Sequence, residues 1–283
     1  MVALRNPNAE IYVPDDIAVE DALARTTHLA ISAHQDDIEI MAVDGILQCF
    51  QRPDKWFSGV VVTNGSGSPR DGVYADYSDE EMMAVRVLEQ KRAAFVGDYA
   101  AQALLAYPSA VVNDKAASAP VEDIKTLVTA ATPDVVYTHN LADKHQTHIA
   151  VALRVIRALR ELPADQRPKK LYGCEVWRNL DWLLDDDKVV FDCSEKENLQ
   201  AALLGVFDSQ ISGGKRYDLA ALGRRVANAT FYASHDTDQA TSLAYAMDLT
   251  SLIQDTDLDI TAYIQTYIQR FSEKVTEMIT HVS

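Results

Sequence analysis

A histidine and two adjacent carboxylates follow a short apolar segment near the amino terminus of the sequence. His34, Asp36 and Asp37 come directly after Leu29 to Ala33, which is typical of a buried strand. Neighbouring carboxylates repel each other, so a fold that keeps them beside an imidazole needs a cation to neutralise them or a proton for them to transfer. The alternative is a polar loop in which Asp36 or Asp37 caps the next helix. The histidine in front favours the first interpretation.

A second group of polar residues follows another apolar segment, Val135 to Thr138. The stretch after it has helical spacing of apolar positions, so His145 and His148 are expected to face the same way at a helix start. In open α/β sheets, loops at the carboxyl ends of strands line the crevice where ligands bind. Capping does not readily explain why these two loops hold four of the chain's seven histidines: His34, His139, His145 and His148.

Together these motifs resemble the PIG-L/LmbE-like family of zinc-dependent N-deacetylases. Members typically carry His-Pro-Asp-Asp with a glutamate close behind, and His-Pro-Asp-His in a later loop. Here the first motif runs from His34 to Glu39 and the second from His145 to His148, and the similarity covers roughly the first 180 residues. Gln35 replaces the usual proline, and Thr147 replaces the usual aspartate.

The resemblance implies a role for each of these residues. His34, Asp37 and His148 would hold Zn²⁺ and leave a position for water, although ligands of this type do not exclude Fe²⁺ or Co²⁺. Asp36 would act as general base, and His145 would stabilise the oxyanion together with the metal. Either Asp36 or His145 would reprotonate the departing amine. The expected reaction removes an acetyl group from an amino sugar or its conjugate, of the N-acetylglucosamine type. The residues alone indicate only a His/Asp metal site with an adjacent carboxylate.

Two other classes of function stay open. Gln35 and Thr147 are compatible with a catalytically silent protein that binds a metal or ligand without turnover. A metal-dependent phosphoesterase is the other alternative, but such sites usually pair two metals and need more Asp and His residues. Because Thr147 brings no charge, His145 is expected either to be supported by Asp143 or to act as a less fully protonated stabiliser.

A long glycine-rich loop, residues 64–77, leaves the second predicted strand. It is either a flexible surface crossing or a substrate loop in which Arg70 reaches an anionic or hydroxylated group. In the helix that follows, Arg86 and Glu89 have the spacing of a solvated or ion-paired face, and the resemblance makes them a scaffold pair. Other candidate substrate contacts are Asn64, His139, Asn140 and Trp177.

The order of elements predicts how these loops are held. Alternating strands and helices indicate a Rossmann-like α/β fold, with a mostly parallel sheet, helices on both faces and a helical C-terminal portion. We expect one domain over residues 1–283, with its core at about 28–193 and a helical extension at about 194–283. Within that extension, residues 240–253 have the apolar spacing of a helix.

Composition narrows the range of partners. The formal net charge of −16 opposes binding to nucleic acid or to an anionic membrane and favours a small-molecule substrate. The start of the sequence lacks a signal-peptide pattern, and no run of about 18 apolar residues occurs, so a cytoplasmic protein is expected. The three cysteines form no Cys-x-x-Cys pair, which argues against a thiolate zinc site. The sequence leaves the oligomeric state open, homo-oligomers included.

Overall fold

One mixed sheet forms the centre of the computed structural model, which describes residues 2–283. In this range the strand order is β1-β4-β3-β2-β5-β6-β8-β7. The five strands from β4 to β6 in that order are parallel, whereas β1, β8 and β7 pair with their neighbours antiparallel. The strands are β1 (Glu10–Tyr12), β2 (His28–Ser32), β3 (Phe57–Thr63), β4 (Ala101–Tyr107), β5 (Val135–His139), β6 (Lys170–Cys174), β7 (Val189–Asp192) and β8 (Leu243–Asp248).

Helices cover both faces of the sheet, as the α/β pattern predicts. Along β2, Leu29 and Ile31 belong to one apolar cluster and Ala30 to another, and all three are fully buried. Such burial on both faces is what parallel sheets require. The α-helices of the described chain are α1 (Val19–Ala24), α2 (Asp37–Met41), α3 (Val43–Cys49), α4 (Asp79–Val96), α5 (Ser109–Asn113), α6 (Ala119–Ala131), α7 (Gln146–Arg160), α8 (Glu197–Gly205), α9 (Asp208–Ile211), α10 (Tyr217–Phe231), α11 (Thr250–Gln254) and α12 (Ile260–Val282). Among residues 2–283, no helix has the length and apolar character that crossing a membrane requires.

The sheet reverses its direction of growth between β2 and β5. From β2 the chain adds β3 and then β4 on one side, whereas β5 and β6 lie on the other side. Ligands of open α/β sheets bind at such a switch point, outside the carboxyl ends of the strands. The two polar loops found in the sequence leave the ends of β2 and β5, so the fold brings them together at this point.

The C-terminal portion also contributes to the sheet. The helix predicted over 240–253 is wrong, because Leu243–Asp248 forms β8 between β6 and β7. Its residues from Leu243 to Met247 are all buried. Leu, Ala and Met favour helices in isolation, but burial in the sheet overrides that weak preference. Residues 194–283 are otherwise mostly helical, and β8 joins them to the core of the fold.

Candidate metal centre

The side chains of His34, Asp37 and His148 converge at the switch point. His34 Nδ1 lies 3.2 Å from Asp37 Oδ2 and 3.2 Å from His148 Nε2. The third side of this triangle, from His148 Nε2 to Asp37 Oδ2, measures 3.4 Å. Tetrahedral zinc with ligands at about 2.0–2.1 Å separates its ligand atoms by ~3.3 Å. The three atoms therefore already have the spacing of one face of such a site.

The protonation states in this trio suit a cation. Burial alone would raise the pKa of Asp37, but the imidazoles of His148, His34 and His139 lower it below its ordinary value. Burial lowers the pKa of His34, although Asp37 opposes this effect. The directions of these two pKa shifts favour an ionised Asp37 and an uncharged His34, and ligands must be deprotonated to bind a metal.

Asp143 holds the ring of His148 in place. Its Oδ2 lies 3.4 Å from His148 Nδ1 and also accepts the backbone N–H of Trp177 at 3.1 Å. The contact favours the tautomer that carries its proton on Nδ1 and leaves Nε2 free for a metal, as in carboxylate–histidine–metal arrangements generally. Toward His145, Asp143 accepts only the backbone N–H, at 2.9 Å. The expectation that Asp143 supports the ring of His145 is therefore wrong.

His139 lies behind the trio and is fully buried. Its ring stacks on that of His148, with centroids 3.9 Å apart, and its Nε2 accepts the backbone N–H of Ala33 at 2.8 Å. Two groups of three side chains have ligand atoms at distances suited to a metal: His34, His145 and His148, and Asp37, His139 and His148. Because the Nε2 lone pair of His139 is already engaged, its geometry favours packing against His148 over metal binding.

Asp36 adopts an unusual backbone conformation beside the trio. Its φ of 92° lies in a region that side chains rarely adopt, at a cost of about 1–3 kcal/mol. The turn allows consecutive residues to diverge, so that Asp37 Oδ2 joins the trio while Asp36 Oδ1 lies 3.6 Å from Arg86, and both residues line a cavity. Burial raises the pKa of Asp36 well above its ordinary value, and Arg86, at 3.6 Å from its Oδ1, partly opposes the shift. A carboxyl group with a raised pKa is suited to accept and return a proton.

His145 stands at the start of α7, beside the metal trio. Its ring centroid lies 5.0 Å from that of His34 and 4.6 Å from that of His148. Burial, together with the two neighbouring imidazoles, lowers the pKa of His145. Its Nδ1 is buried without a hydrogen-bond partner among the described residues, while Thr147 Oγ1 accepts a hydrogen bond from Asn113. The lowered pKa of His145 has the direction of the second expectation, a less fully protonated stabiliser, and the role of His145 as a stabiliser stays a prediction.

A cavity of about 670 Å³ opens onto Asp36, His34 and His145, a size suited to a small molecule. The loop after β3 supplies one part of its wall, and residues of the C-terminal portion supply another. The side chains of Trp177 and Tyr217 pack edge to face there, with ring centroids 6.0 Å apart. The polar and aromatic residues of the lining are His34, Asp36, Asp37, Ser68, Arg86, Ser109, His145, Thr147, Trp177, Gln210, Lys215, Tyr217 and Arg224.

Three of the predicted substrate contacts have other neighbours in the structure. Arg70 donates to the carbonyl of Ser66 and pairs with Asp79. Asn64 Oδ1 accepts the backbone N–H of Ser66, within its own turn. Asn140 donates to the carbonyl of Cys174 at 3.1 Å and so connects β5 to β6. These three and His139 are not among the residues that line the cavity, whereas Trp177 is.

The guanidinium of Arg86 lies in the wall of the cavity. From its spacing in the sequence, Arg86 is expected on a solvated or ion-paired face of its helix. It is 3% exposed and donates to the backbone carbonyl of Gln35 and to Ser68 Oγ. Gln35, which replaces the family's proline, is itself buried and donates to the carbonyl of Thr63. The metal trio forms with glutamine at this position. The resemblance, which makes Arg86 and Glu89 a scaffold pair, is the one signal in the sequence that Arg86 belongs to the site.

Glu89 lies on the same helix as Arg86, α4, and contacts a second helix. Both of its carboxylate oxygens accept hydrogen bonds from Ser209, one from the backbone N–H at 2.7 Å and one from the hydroxyl at 2.6 Å. Ser209 belongs to α9, so this contact fixes α9 against α4. Gln210, the next residue, lines the cavity. The scaffold that Arg86 and Glu89 form therefore holds the C-terminal wall of the cavity as well as Asp36.

Comparison with known proteins agrees with the geometry. The model of the PIG-L family, described as GlcNAc-PI de-N-acetylase, matches residues 29–159. This segment contains the metal trio, Asp36 and His145, and the match confirms the resemblance that the two motifs suggested. No match was found among the curated proteins.

Several solved structures share the fold. N,N'-diacetylchitobiose deacetylase from Pyrococcus horikoshii is 14% identical, with a TM-score of 0.63, and the match covers 81% of this chain and 86% of that one. The A40926 pseudoaglycone deacetylase Dbv21 is 17% identical, with a TM-score of 0.55, covering 79% and 97%. GalB, the 4-carboxy-2-hydroxymuconate hydratase from Pseudomonas putida KT2440, is 14% identical, with a TM-score of 0.58, covering 79% and 96%. Because one of the three is a hydratase, the fold alone does not decide the reaction.

Proposed function

Because residues 29–159 carry a PIG-L family domain, we propose that this protein is a metal-dependent hydrolase that removes an N-acetyl group from an amino sugar or amino-sugar conjugate. The observation that carries the proposal is the triangle of His34, Asp37 and His148 atoms, with sides of 3.2 to 3.4 Å. It lies beside a buried carboxyl group, that of Asp36, at the edge of a cavity large enough for a sugar.

His34, Asp37 and His148 would hold the metal, which when bound supplies Lewis-acid polarisation of the amide carbonyl and a lowered pKa for water. Two imidazoles and one carboxylate suit Zn²⁺, with Fe²⁺ or Co²⁺ as alternatives. Since Asp143 orients His148 through its Nδ1, it would contribute to the affinity without being a ligand.

Asp36 would accept the proton of the attacking water. Its raised pKa also suits the reverse transfer, in which the carboxylic acid returns that proton to the departing amine nitrogen. His145, as a neutral imidazole, can donate one hydrogen bond to the oxygen that becomes negative as the amide carbon turns tetrahedral. Arg86, 3.6 Å from Asp36 Oδ1, would keep the side chain of Asp36 in place between these two transfers.

Trp177 and Tyr217 would form the platform for the sugar ring. Aromatic faces pack against the apolar face of a pyranose while its hydroxyl groups bond to surrounding polar side chains, and Ser109 and Gln210 are available in the same cavity. The N-acetylglucosamine type of substrate is therefore compatible with the lining, and the group attached to the sugar would extend toward the cavity mouth.

The two alternative classes receive less support. A phosphoesterase of the kind considered from the sequence pairs two metals, whereas the two possible ligand groups among residues 2–283 both include His148 and so describe one site. A silent binding protein would explain the Gln35 and Thr147 replacements. However, the ligand trio, the adjacent carboxyl group and the cavity are all present with these replacements in place.

Release of free amine and acetate from a panel of N-acetylglucosamine conjugates tests the proposal. We expect wild-type protein loaded with Zn²⁺ to release both in equal amounts. Asp36→Asn should keep its metal and lose this activity, and Asp71→Asn, a change in the exposed loop, serves as control. Phosphate release from generic phosphoesters without any amine release would contradict the proposal, as would amine release that Asp36→Asn does not reduce.

A further inference from the structure

Helix α12 carries a row of large apolar side chains that the fold leaves uncovered. The row consists of Ile268, Phe271, Val275, Met278 and Val282, with Ile279 beside Met278, and all six are between 40% and 83% exposed. No residue of α12 is buried. Contiguous exposed apolar surface of this kind marks interaction sites on folded proteins, so the row needs an occupant that the single chain does not provide.

The first turns of α12 pack against the rest of the protein, whereas its later turns do not. Tyr263, Ile264 and Tyr267 pack partly buried against the main apolar cluster, and Arg270 pairs with Asp187. Every residue after Arg270 is exposed. The same face of the helix that contacts the core at its start is therefore free over its last three turns.

The spacing of the apolar residues along α12 indicates that the occupant is another helix. From Ile264 the apolar positions follow at alternating steps of four and three residues up to Val282. A seven-residue repeat of this kind keeps a narrow apolar seam facing one partner helix in a left-handed supercoil. One alternate set, Ile268, Val275 and Val282, is β-branched throughout, as is common at one of the two core positions of parallel two-stranded coiled coils.

The charge of the helix restricts the occupant further. Between positions 268 and 282, Arg270 and Lys274 balance Glu273 and Glu277, while the whole chain carries a net charge of −16. Two copies that meet through this segment would therefore gain no further repulsion from its own balanced charges. Helices that lie on membrane surfaces carry an excess of Lys and Arg on the polar face, which α12 lacks.

From this geometry we infer that the occupant is a second copy of the same chain. The seam from Ile264 to Val282, about 27 Å long at 1.5 Å per residue, would pack against the same seam of the other copy in a two-fold symmetric contact. This inference is independent of the proposed function, because α12 contributes no residue to the cavity lining.

Sedimentation equilibrium of the full chain over a range of micromolar concentrations tests the inference. We expect the mass of wild-type protein to rise to that of two chains. Val275→Glu should remain a single chain, because a carboxylate in the seam would be buried unpaired on association. Thr276→Glu adds the same charge to the next residue, outside the seam, and should associate like wild type. A cooperative thermal unfolding transition in each variant would show that both are folded.

Disulfide formation provides a second measurement. Cys49, Cys174 and Cys193 are all buried, so a cysteine introduced on α12 is the accessible thiol of the described chain. Val275→Cys should form a disulfide between chains under mild oxidation much faster than Thr276→Cys. A single-chain mass at all concentrations would overturn the inference, as would a dimer that persists in Val275→Glu. Binding of wild-type protein to lipid vesicles that Val275→Glu abolishes would also overturn it, since lipid would then cover the seam.

Discussion

The side chain of Gln90 accepts the backbone N–H of Asp36, with 3.2 Å between Oε1 and N. Gln90 is fully buried on α4, and its Nε2 donates to Glu39 Oε1 at 2.9 Å. Glu39 also accepts the hydroxyl of Tyr99 at 2.8 Å, and burial raises the pKa of Glu39 to about 8. This buried network therefore holds Asp36, the residue after Gln35 whose backbone φ is positive.

Replacing Gln90 with leucine should therefore disturb the positioning of Asp36 more than metal binding. The change leaves the Asp36 N–H buried and unpaired, which costs about 1–3 kcal/mol. If that cost falls on the catalytic geometry, kcat should decrease by about 10- to 100-fold, with little change in KM or in metal content. Steady-state kinetics and elemental analysis on the same preparation measure the two effects. An unchanged kcat would show that Gln90 has only a structural role.

The metal trio leads to a prediction about occupancy. His34→Ala, Asp37→Ala and His148→Ala should each reduce bound metal well below one ion per chain, because a three-ligand site loses most of its affinity with one ligand. His235→Ala, which changes an exposed histidine in the loop after α10, should retain full occupancy. Elemental analysis after dialysis measures the content. Full occupancy in all three ligand variants would disprove the assignment.

Asp143→Asn should weaken metal binding although Asp143 is not a ligand. The amide no longer favours the His148 tautomer with a free Nε2, and loss of such a partner typically reduces affinity 10- to 100-fold. Competition with a chromophoric chelator gives the dissociation constant. Thr147→Ala, which changes a residue bonded to Asn113, is the control and should bind metal like wild type. Equal affinities in the two variants would remove Asp143 from this role.

The burial of His28 leads to a prediction about how the free energy of unfolding depends on pH. Burial lowers the pKa of His28 to about 4, whereas in the unfolded chain it lies near 6.5. Between these values the unfolded state binds the proton and the folded state does not, so stability falls as pH decreases from 6.5 toward 4. At pH 4.5 the loss from this group is about 2 kcal/mol.

Urea unfolding at pH 7.5 and pH 4.5 tests this, with chelator present so that release of metal does not contribute. The free energy of unfolding should decrease less between the two pH values in His28→Phe than in wild type, because the variant has no group to protonate at this position. A decrease of the same size in both proteins would show that His28 does not titrate in the way that its burial implies.

Much of the site could be predicted from the sequence because its residues lie in two short motifs. His34, Asp36 and Asp37 follow β2 directly, and His145 and His148 are neighbours on one turn of α7. The parallel sheet then brings the two loops together without further information. Trp177, proposed from its place after a strand, lines the cavity as well.

The features that the sequence did not reveal depend on packing between distant segments. The resemblance makes Arg86 part of a scaffold pair, but its burial in the cavity wall results from contacts with Gln35 and Ser68 that the sequence does not indicate. The choice between strand and helix for Leu243–Asp248 was decided by the free edge of β6, which no local pattern encodes. Similarly, the role of Asp143 follows from the orientation of the His148 ring.

The proposed roles of Asp36 as general base and Asp37 as metal ligand are tested most directly by measuring metal content and amine release in Asp36→Asn and Asp37→Asn. Asp37 Oδ2 lies 3.2 to 3.4 Å from the ring nitrogens of His34 and His148, whereas Asp36 Oδ1 lies 3.6 Å from Arg86. Asp36→Asn should therefore keep about one metal per chain while amine release falls by about 100-fold or more, and Asp37→Asn should lose the metal. Loss of metal in Asp36→Asn together with full occupancy in Asp37→Asn would contradict these assignments.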